Sequence, residues 1–315
     1  MAAQGKAITV DHEFRRREMP VEHFHILDDE GWRSIEVLVA SDRPIVVTTA
    51  LAQGQHDVAQ RLMPLLRSKR ISLPGAPLLL VPCENNASAE FFMDSDFTCP
   101  VVVDRICWIE EIDGEEVFRT EEHLNWFVGV AQNAASQPLR LEMVRSIGAT
   151  AIGDWDHFVF LQRRKLLLMN TVHTCFAFLA LGHGHDGALS EWAQSSNQAF
   201  DALVGLSRAC SVVLQFEFQD KSPHEYQAYA YKCIERIYNV PDGGVVRVLK
   251  NFSAGVPGSG AQLEYLHKRV IEVRDQYRDY TGGQSRLLTE ALRSAVKWVL
   301  EALEDELGED ELGED

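Results

Sequence analysis

The sequence predicts an incomplete Rossmann-like parallel-sheet domain followed by a mainly helical domain. The apolar runs at 44–49 and 77–82 are typical of buried parallel strands, and a helical pattern lies between them. From about residue 150 the sequence changes to long helical periodicity. We therefore expect an α/β domain over 1–150, a helical domain over 151–305 and an acidic disordered tail over 306–315.

The α/β region is predicted from short β-branched runs separated by turns or helices. The helix between the two apolar runs has Val58, Leu62, Leu65 and Leu66 on one side and ends before Leu73. Strand, helix and strand in this order indicate a β-α-β unit. Further strands are predicted at 7–10, 23–27, 101–103 and 116–120. Arg15-Arg-Arg17 could contact a 2′-phosphate, but a solvated helix face is favoured.

The helical region centres on Leu166–Leu181, which is apolar nearly all round and is predicted to be an enclosed helix. Polar residues such as Asn170 and His173 interrupt it, so we do not interpret it as a membrane span. Amphipathic helices are predicted at 188–216, 224–238, 262–280 and 285–303, with an irregular stretch over 240–260.

The composition, with 46% hydrophobic and 24% charged residues, is that of a soluble globular protein. A net charge of −17 argues against nucleic acid or an anionic membrane as a main partner. The N-terminus has no apolar stretch typical of a secretory signal, so a cytoplasmic location is expected. The six cysteines form no C-x-x-C pair and are predicted to be reduced, buried thiols.

Lys165, Asn170 and His173 form a K-x4-N-x2-H string on the predicted central helix. This string resembles that of the polyol-specific long-chain dehydrogenases, among which the mannitol-1-phosphate 5-dehydrogenases are most similar. Other segments resemble the family in the same order, and together they cover roughly residues 5–255. They are Val47-Thr-Thr-Ala50, Cys83-Glu84-Asn85, Val103-Asp104-Arg105-Ile106, Arg236-Ile-Tyr-Asn239 and Arg247-Val248.

The resemblance implies that Lys165 is the general base and that His173 orients substrate hydroxyls. It implies that Asn170 and Asn85 donate hydrogen bonds to the alkoxide. At 100° per residue, Lys165, Asn170 and His173 fall within an arc of about 140°, so all three can face one cavity. The implied cofactor contacts are Asp11, Thr48, Thr49 and Glu84. The implied substrate contacts are Asp104, Arg105, Arg236, Asn239 and Lys250.

The resemblance also implies a nicotinamide cofactor, NAD or NADP. The family begins with a strand and a G-x-G-x-x-G turn that binds the pyrophosphate, whereas no such motif lies near the start of this sequence. The run Ala7–Asp11 resembles the family's second strand, so the first strand and helix are expected to be lacking. Three explanations stay open: a shortened chain, a partner chain or segment that completes the sheet, or a fold adapted to bind no dinucleotide in the usual way.

Two functions are therefore predicted. The first is an oxidoreductase that interconverts a secondary alcohol and a ketone on a polyol, sugar acid or sugar phosphate. The alternative is a dehydrogenase-derived binding or regulatory protein that has lost dinucleotide binding. A metal is not expected, because His183, His185 and Asp186 are interpreted as a helix end and turn rather than as ligands.

Overall fold

The computed structural model describes residues 7–12, 15–20, 28–50, 54–83, 92, 94, 96–104, 107–112, 115–120, 125–130, 137–240, 245 and 265–310. The chain divides into two compact units, Met1–Gln162 and Arg163–Asp315. The division lies within a helix, whereas the sequence placed it at residue 150, at the change of periodicity.

The described part of the first unit contains both strands and helices, and its last helix continues into the second unit. Its strands are β1 Ala7–His12, β2 Arg15–Pro20, β3 Ile45–Thr49, β4 Leu78–Pro82, β5 Val101–Asp104, β6 Cys107–Ile112, β7 Glu115–Thr120, β8 Asn125–Gly129 and β9 Thr150–Ile152. Its helices are α1 Asp29–Ala40, α2 Gln55–Ser72, α3 Gln137–Ser146 and α4 Trp155–Lys165.

The predicted β-α-β unit is formed by β3, α2 and β4. The two strands are parallel, with Ile45 opposite Leu78 and Thr49 opposite Pro82. β4 is buried on both faces, since Leu78 and Leu80 enter one apolar cluster and Leu79 and Val81 the other. A bridge from Leu80 to Thr98 continues the pairing beyond β4. The apolar run at 77–82 is thus explained by two-sided burial.

β1 and β2 differ from the expectation. β1 pairs in antiparallel fashion with β2, with His12 opposite Arg15, and in parallel with β7. Arg15–Arg17 therefore lies in a strand, and the predicted helix face is wrong. A connection of two residues suits a hairpin and is too short for a helical crossover. β1 also lies in a sheet with β2, β6 and β7 rather than with β3 and β4. The strand predicted at 23–27 lies outside the described residues.

The second unit is helical in its described part. After α4 come a first π turn, Leu166–Thr171, and then α5 Val172–Gly182, α6 Leu189–Ser195, α7 Asn197–Glu217 and α8 Pro223–Asn239. A second π turn, His267–Ile271, leads into α9 Glu272–Thr281, and α10 Arg286–Asp310 completes the unit. The central apolar helix is confirmed, and most of it is buried.

Two helix boundaries were not predicted. The helix expected over 188–216 is interrupted at Ser196, whose side chain accepts a hydrogen bond from the Ala199 amide and caps α7. α10 continues to Asp310 and so includes the first half of the acidic tail that was predicted to be disordered. Leu and Glu are good helix formers, which favours this extension. Residues 311–315 lie outside the described residues.

The helices Trp155–Gly182 and Asn197–Glu217 are long and apolar enough to cross a membrane by length and composition alone. The apolar character of the first is explained by its burial, because most of its side chains pack inside the protein. This pattern is typical of the core helix of a helical domain.

Candidate active site

The long central helix has one accessible row of side chains. From Leu167 to Ala180 every residue is buried except Asn170 and His173, which are partly exposed. Lys165 is also partly exposed, and the segment is otherwise apolar. The three residues of the K-x4-N-x2-H string are thus polar residues that remain partly exposed on an otherwise buried helix.

The first π turn changes the geometry expected for this row. In a π turn the backbone bonds join residues i and i+5 rather than i and i+4. Lys165 and Asn170 are five residues apart, so the wider turn brings them closer to the same side than the α-helical arc of about 140° would. His173 follows Asn170 by three residues, which places it on the same face in the α-helix that begins at Val172.

The second π turn packs against the first and against α5. Just before it, the Tyr265 hydroxyl lies 3.2 Å from Thr174 Oγ1, within hydrogen-bond distance, and Thr174 directly follows His173. The Arg269 guanidinium lies 4.5 Å from the centre of the Tyr265 ring. The turn also carries His267 and Lys268 as exposed side chains. Cationic groups therefore lie near the start of α5.

An ion pair joins the two π turns at their ends. Arg163, just before the first turn, donates to Glu217 on α7 at 2.8 Å and to Glu272 at 3.2 Å, and Glu272 directly follows the second turn. Burial opposes the charge of Arg163, but the hydrogen bonds and charges of Glu217 and Glu272 outweigh it and raise its pKa. Gln276 accepts a further bond at 2.7 Å. The hydrogen bonds and ion pairs of Arg163 thus connect the start of the first turn with the end of the second.

The central helix is also flanked by buried thiols. Burial raises the pKa of Cys210 on α7 to about 12 and raises that of Cys175 on α5 well above its usual value. Cys99, Cys175, Cys210 and Cys233 are buried thiols outside any disulfide, as predicted, and the Cys83 thiol is partly exposed. Buried neutral thiols are unreactive, so these residues belong to the core.

In the first unit, polar groups gather at the carboxyl end of β3. Thr48 is exposed, whereas Thr49 is 6% exposed and its hydroxyl has no hydrogen-bond partner among the described residues. Gly54, at φ 75°, is the N-cap residue of α2, and no described side chain caps the N-terminus of this helix. Carboxyl ends of parallel strands and uncapped helix N-termini are where dinucleotides bind in doubly wound sheets. These groups fit a part of such a ligand.

Several predicted site residues are not brought together with these groups in the described structure. Glu84, Asn85, Arg105 and Lys250 lie outside the described residues. Asp11 is on β1, in a different sheet from Thr48 and Thr49. Their predicted roles stay predictions.

The other three predicted substrate contacts lie within the described residues. Asp104 ends β5 and is 2% exposed. Arg236 is on α8, which packs against the first π turn, and is 5% exposed. Asn239 ends α8 and lines a surface groove between α7 and α8. Of the three, Arg236 is the one on a buried face of a helix that contacts the first π turn.

Sequence reasoning missed the two π turns, Tyr265 and Arg269. A π turn has no sequence signature, and the Tyr265–Thr174 contact joins residues 91 positions apart. Gly182, Gly184 and Gly187 have G-x-G-x-x-G spacing, but they follow helix α5 and not a strand, so they are not a dinucleotide-binding turn. His185 Nε2 in this turn donates to the Ala188 carbonyl oxygen at 2.9 Å.

No protein-family model and no curated protein matches the sequence. Several solved structures resemble the fold, and two of them are described as follows. A putative 2-dehydropantoate 2-reductase from Staphylococcus aureus is 14% identical, with 92% of this chain and 86% of that chain covered and a TM-score of 0.50. A D-mandelate dehydrogenase in complex with NADH and anilino(oxo)acetate is 13% identical, with 96% and 86% covered and a TM-score of 0.53.

At such identities the likeness concerns the fold. It confirms a Rossmann-like N-terminal domain followed by a helical C-terminal domain. Neither structure is a polyol dehydrogenase, so the polyol part of the sequence resemblance receives no support from them.

Proposed function

We propose that the chain is an oxidoreductase that interconverts a secondary alcohol and a ketone with NAD or NADP. Its substrate is a polyol, a sugar acid or a sugar phosphate. The observation that carries this proposal is the accessible row on the central helix, where Asn170 and His173 are the two side chains not buried between Leu167 and Ala180. A helix that exposes only a hydrogen-bonding amide and an imidazole is suited to handling a hydroxyl group.

Each member of the row has a separate task. Lys165 takes the proton of the substrate hydroxyl during oxidation and returns it during reduction. Asn170 donates its amide N–H groups to the oxygen that becomes negatively charged. His173 hydrogen-bonds a neighbouring hydroxyl and so fixes the substrate carbon that reacts. The buried apolar residues between them limit access of water, which strengthens these interactions.

The nicotinamide ring, when bound, accepts or supplies the hydride. The buried Thr49 hydroxyl and the N-terminus of α2, which have no side-chain hydrogen-bond partner in the described part of the chain, are the described groups best suited to hold part of the dinucleotide. Among the described strands β3 pairs with β4 alone. Its other edge suits a further strand, from a partner chain or another segment, that completes the cofactor-binding sheet.

An anionic substrate is favoured over a neutral polyol. Arg236, Lys268 and Arg269 lie on elements that pack around the first π turn, in a chain whose net charge is −17. Guanidinium groups bind carboxylates and phosphates through paired hydrogen bonds. Of the predicted classes, this favours a sugar acid or sugar phosphate. The ligand of the D-mandelate dehydrogenase structure, anilino(oxo)acetate, likewise carries a carboxylate beside a carbonyl.

The second candidate is a binding or regulatory protein that keeps the pocket but binds no dinucleotide. It is favoured by the sequence of the α/β unit, in which no G-x-G-x-x-G follows a predicted strand. The catalytic string favours the enzyme.

A cofactor titration distinguishes the two candidates. NADH and NADPH are added to the chain, and energy transfer from its six tryptophans is followed. The enzyme proposal expects saturable binding of one or both. Thr49→Val should weaken that binding about fivefold to tenfold, the effect of one hydrogen bond, whereas Thr150→Val on the exposed edge of β9 should leave it unchanged. Binding of neither nucleotide would contradict a self-sufficient dehydrogenase and leave the second candidate.

A further inference from the structure

A groove of about 1250 Å³ lies between α7 and α8, apart from the catalytic row. Aromatic side chains line much of it: Phe200, Tyr226, Tyr231 and Tyr238. Phe200 is 39% exposed and Tyr231 is 76% exposed, so large rings face solvent here. Exposed aromatic groups collected at one concave surface are typical of a contact site.

The groove lies on the outer side of its two helices. The stripe of α7 that contains Leu203, Leu206 and Val213 is fully buried, and α7 packs against α5 and the first π turn. The groove uses a different stripe of α7, which includes Phe200, Val204 and Arg208. The groove is therefore not an extension of the proposed active site.

The charge of the groove differs from that of the whole chain. Its lining contains one acidic residue, Glu235, and one basic residue, Arg208, whereas the chain has 47 acidic and 30 basic residues. Arg208 and Glu235 are exposed, and neither makes an ion pair within the described part of the chain. This surface is thus close to neutral in a strongly acidic protein, so like-charge repulsion between two copies is small here.

We propose that a second copy of this chain docks on this groove to form a two-fold symmetric dimer. In such an interface each contact occurs twice, with the roles of the two copies exchanged. Tyr231, the most exposed ring, enters the groove of the second copy. Arg208 of each copy pairs with Glu235 of the other. The projecting ring, the cavity and the two opposite charges all lie on one face, so this face is complementary to itself.

The Tyr226 hydroxyl supports an occupant of this kind. It is buried in the groove lining and has no hydrogen-bond partner within the described ranges. Buried hydroxyls are nearly always hydrogen-bonded in native proteins. The Tyr231 hydroxyl of a second copy supplies an acceptor when its ring enters the groove.

Sedimentation velocity over a range of protein concentrations tests the dimer. The wild-type chain should dimerise, and Tyr231→Asp should weaken dimerisation about tenfold or more. Val296→Asp places the same charge on α10 at a position that is 43% exposed and outside the groove, and it should have no effect. A monomeric wild type at all concentrations would overturn the proposal.

Charge exchange gives a second test that does not depend on one variant being folded. Arg208→Glu alone and Glu235→Arg alone each place like charges opposite one another twice per dimer, so each should weaken dimerisation about tenfold. The double variant restores opposite charges and should recover most of the lost affinity. A wild-type dimer that neither single exchange weakens would assign the interface to another surface and contradict the proposal.

Discussion

The two π turns of the helical unit share a backbone geometry but carry different side chains. The first contains Leu167, Leu168 and Met169, which are buried, and exposes the neutral amide of Asn170. The second carries the exposed or partly exposed basic residues His267, Lys268 and Arg269. Because the two turns pack against each other, the difference indicates a division of tasks. We propose that the first turn contacts the reacting hydroxyl and that the second binds the charged group of the substrate.

The largest effect should come from Lys165, the residue directly before the first turn. Lys165→Ala removes the proposed general base, so turnover should fall about 10³-fold while NADH affinity changes little. Steady-state rates and the tryptophan titration measure the two quantities. Lys232→Ala, an exposed lysine on α8, is the matched control and should leave both unchanged. Activity that survives Lys165→Ala would exclude this lysine as the base.

The connection between the turns can be broken at Arg163. Arg163→Met leaves Glu217 and Glu272 without their shared cation, and the two carboxylates are only partly exposed. We expect the free energy of unfolding to fall by about 2–3 kcal/mol, measured by urea denaturation. Arg278→Met removes two surface ion pairs of a half-exposed side chain, with Asp275 and Asp279, and should cost less than about 0.5 kcal/mol. If the free energy of unfolding fell equally in the two variants, Arg163 would have no special role in holding the two turns together.

A smaller effect separates two threonines on the central helix. Thr171 in the first turn is fully buried and its hydroxyl has no partner among the residues that the structure describes, whereas Thr174 is hydrogen-bonded to Tyr265 beside the second turn. Thr171→Val should therefore be neutral or stabilising by up to about 1 kcal/mol, and Thr174→Val should destabilise by about 1 kcal/mol. Thermal unfolding of both variants provides the comparison. The reverse order would show that the Thr171 hydroxyl has a stabilising role.

The sequence predicted those features that depend on local pattern. The apolar runs of β3 and β4 and the helix between them are specified by short-range periodicity, and the K-x4-N-x2-H string placed three side chains on the central helix. It did not predict that Lys165 and Asn170 are related by a π turn, because that distortion depends on packing against distant helices. For the same reason Tyr265 and Arg269 were missed. The prediction that Arg15–Arg17 lie on a helix face was wrong because pairing with β1 stabilises a strand at these residues.

The division of tasks between the two π turns is tested most directly by one pair of variants, Asn170→Ala and Arg269→Ala. Their kcat and KM are measured side by side with the substrate that the wild-type chain turns over. Asn170→Ala should lower kcat about 10²-fold, because it removes a donor to the developing oxyanion. Arg269→Ala should raise KM about tenfold with kcat nearly unchanged, because it removes binding that is equal in the ground and transition states. If both variants changed the same kinetic parameter by the same factor, the proposed division would be contradicted.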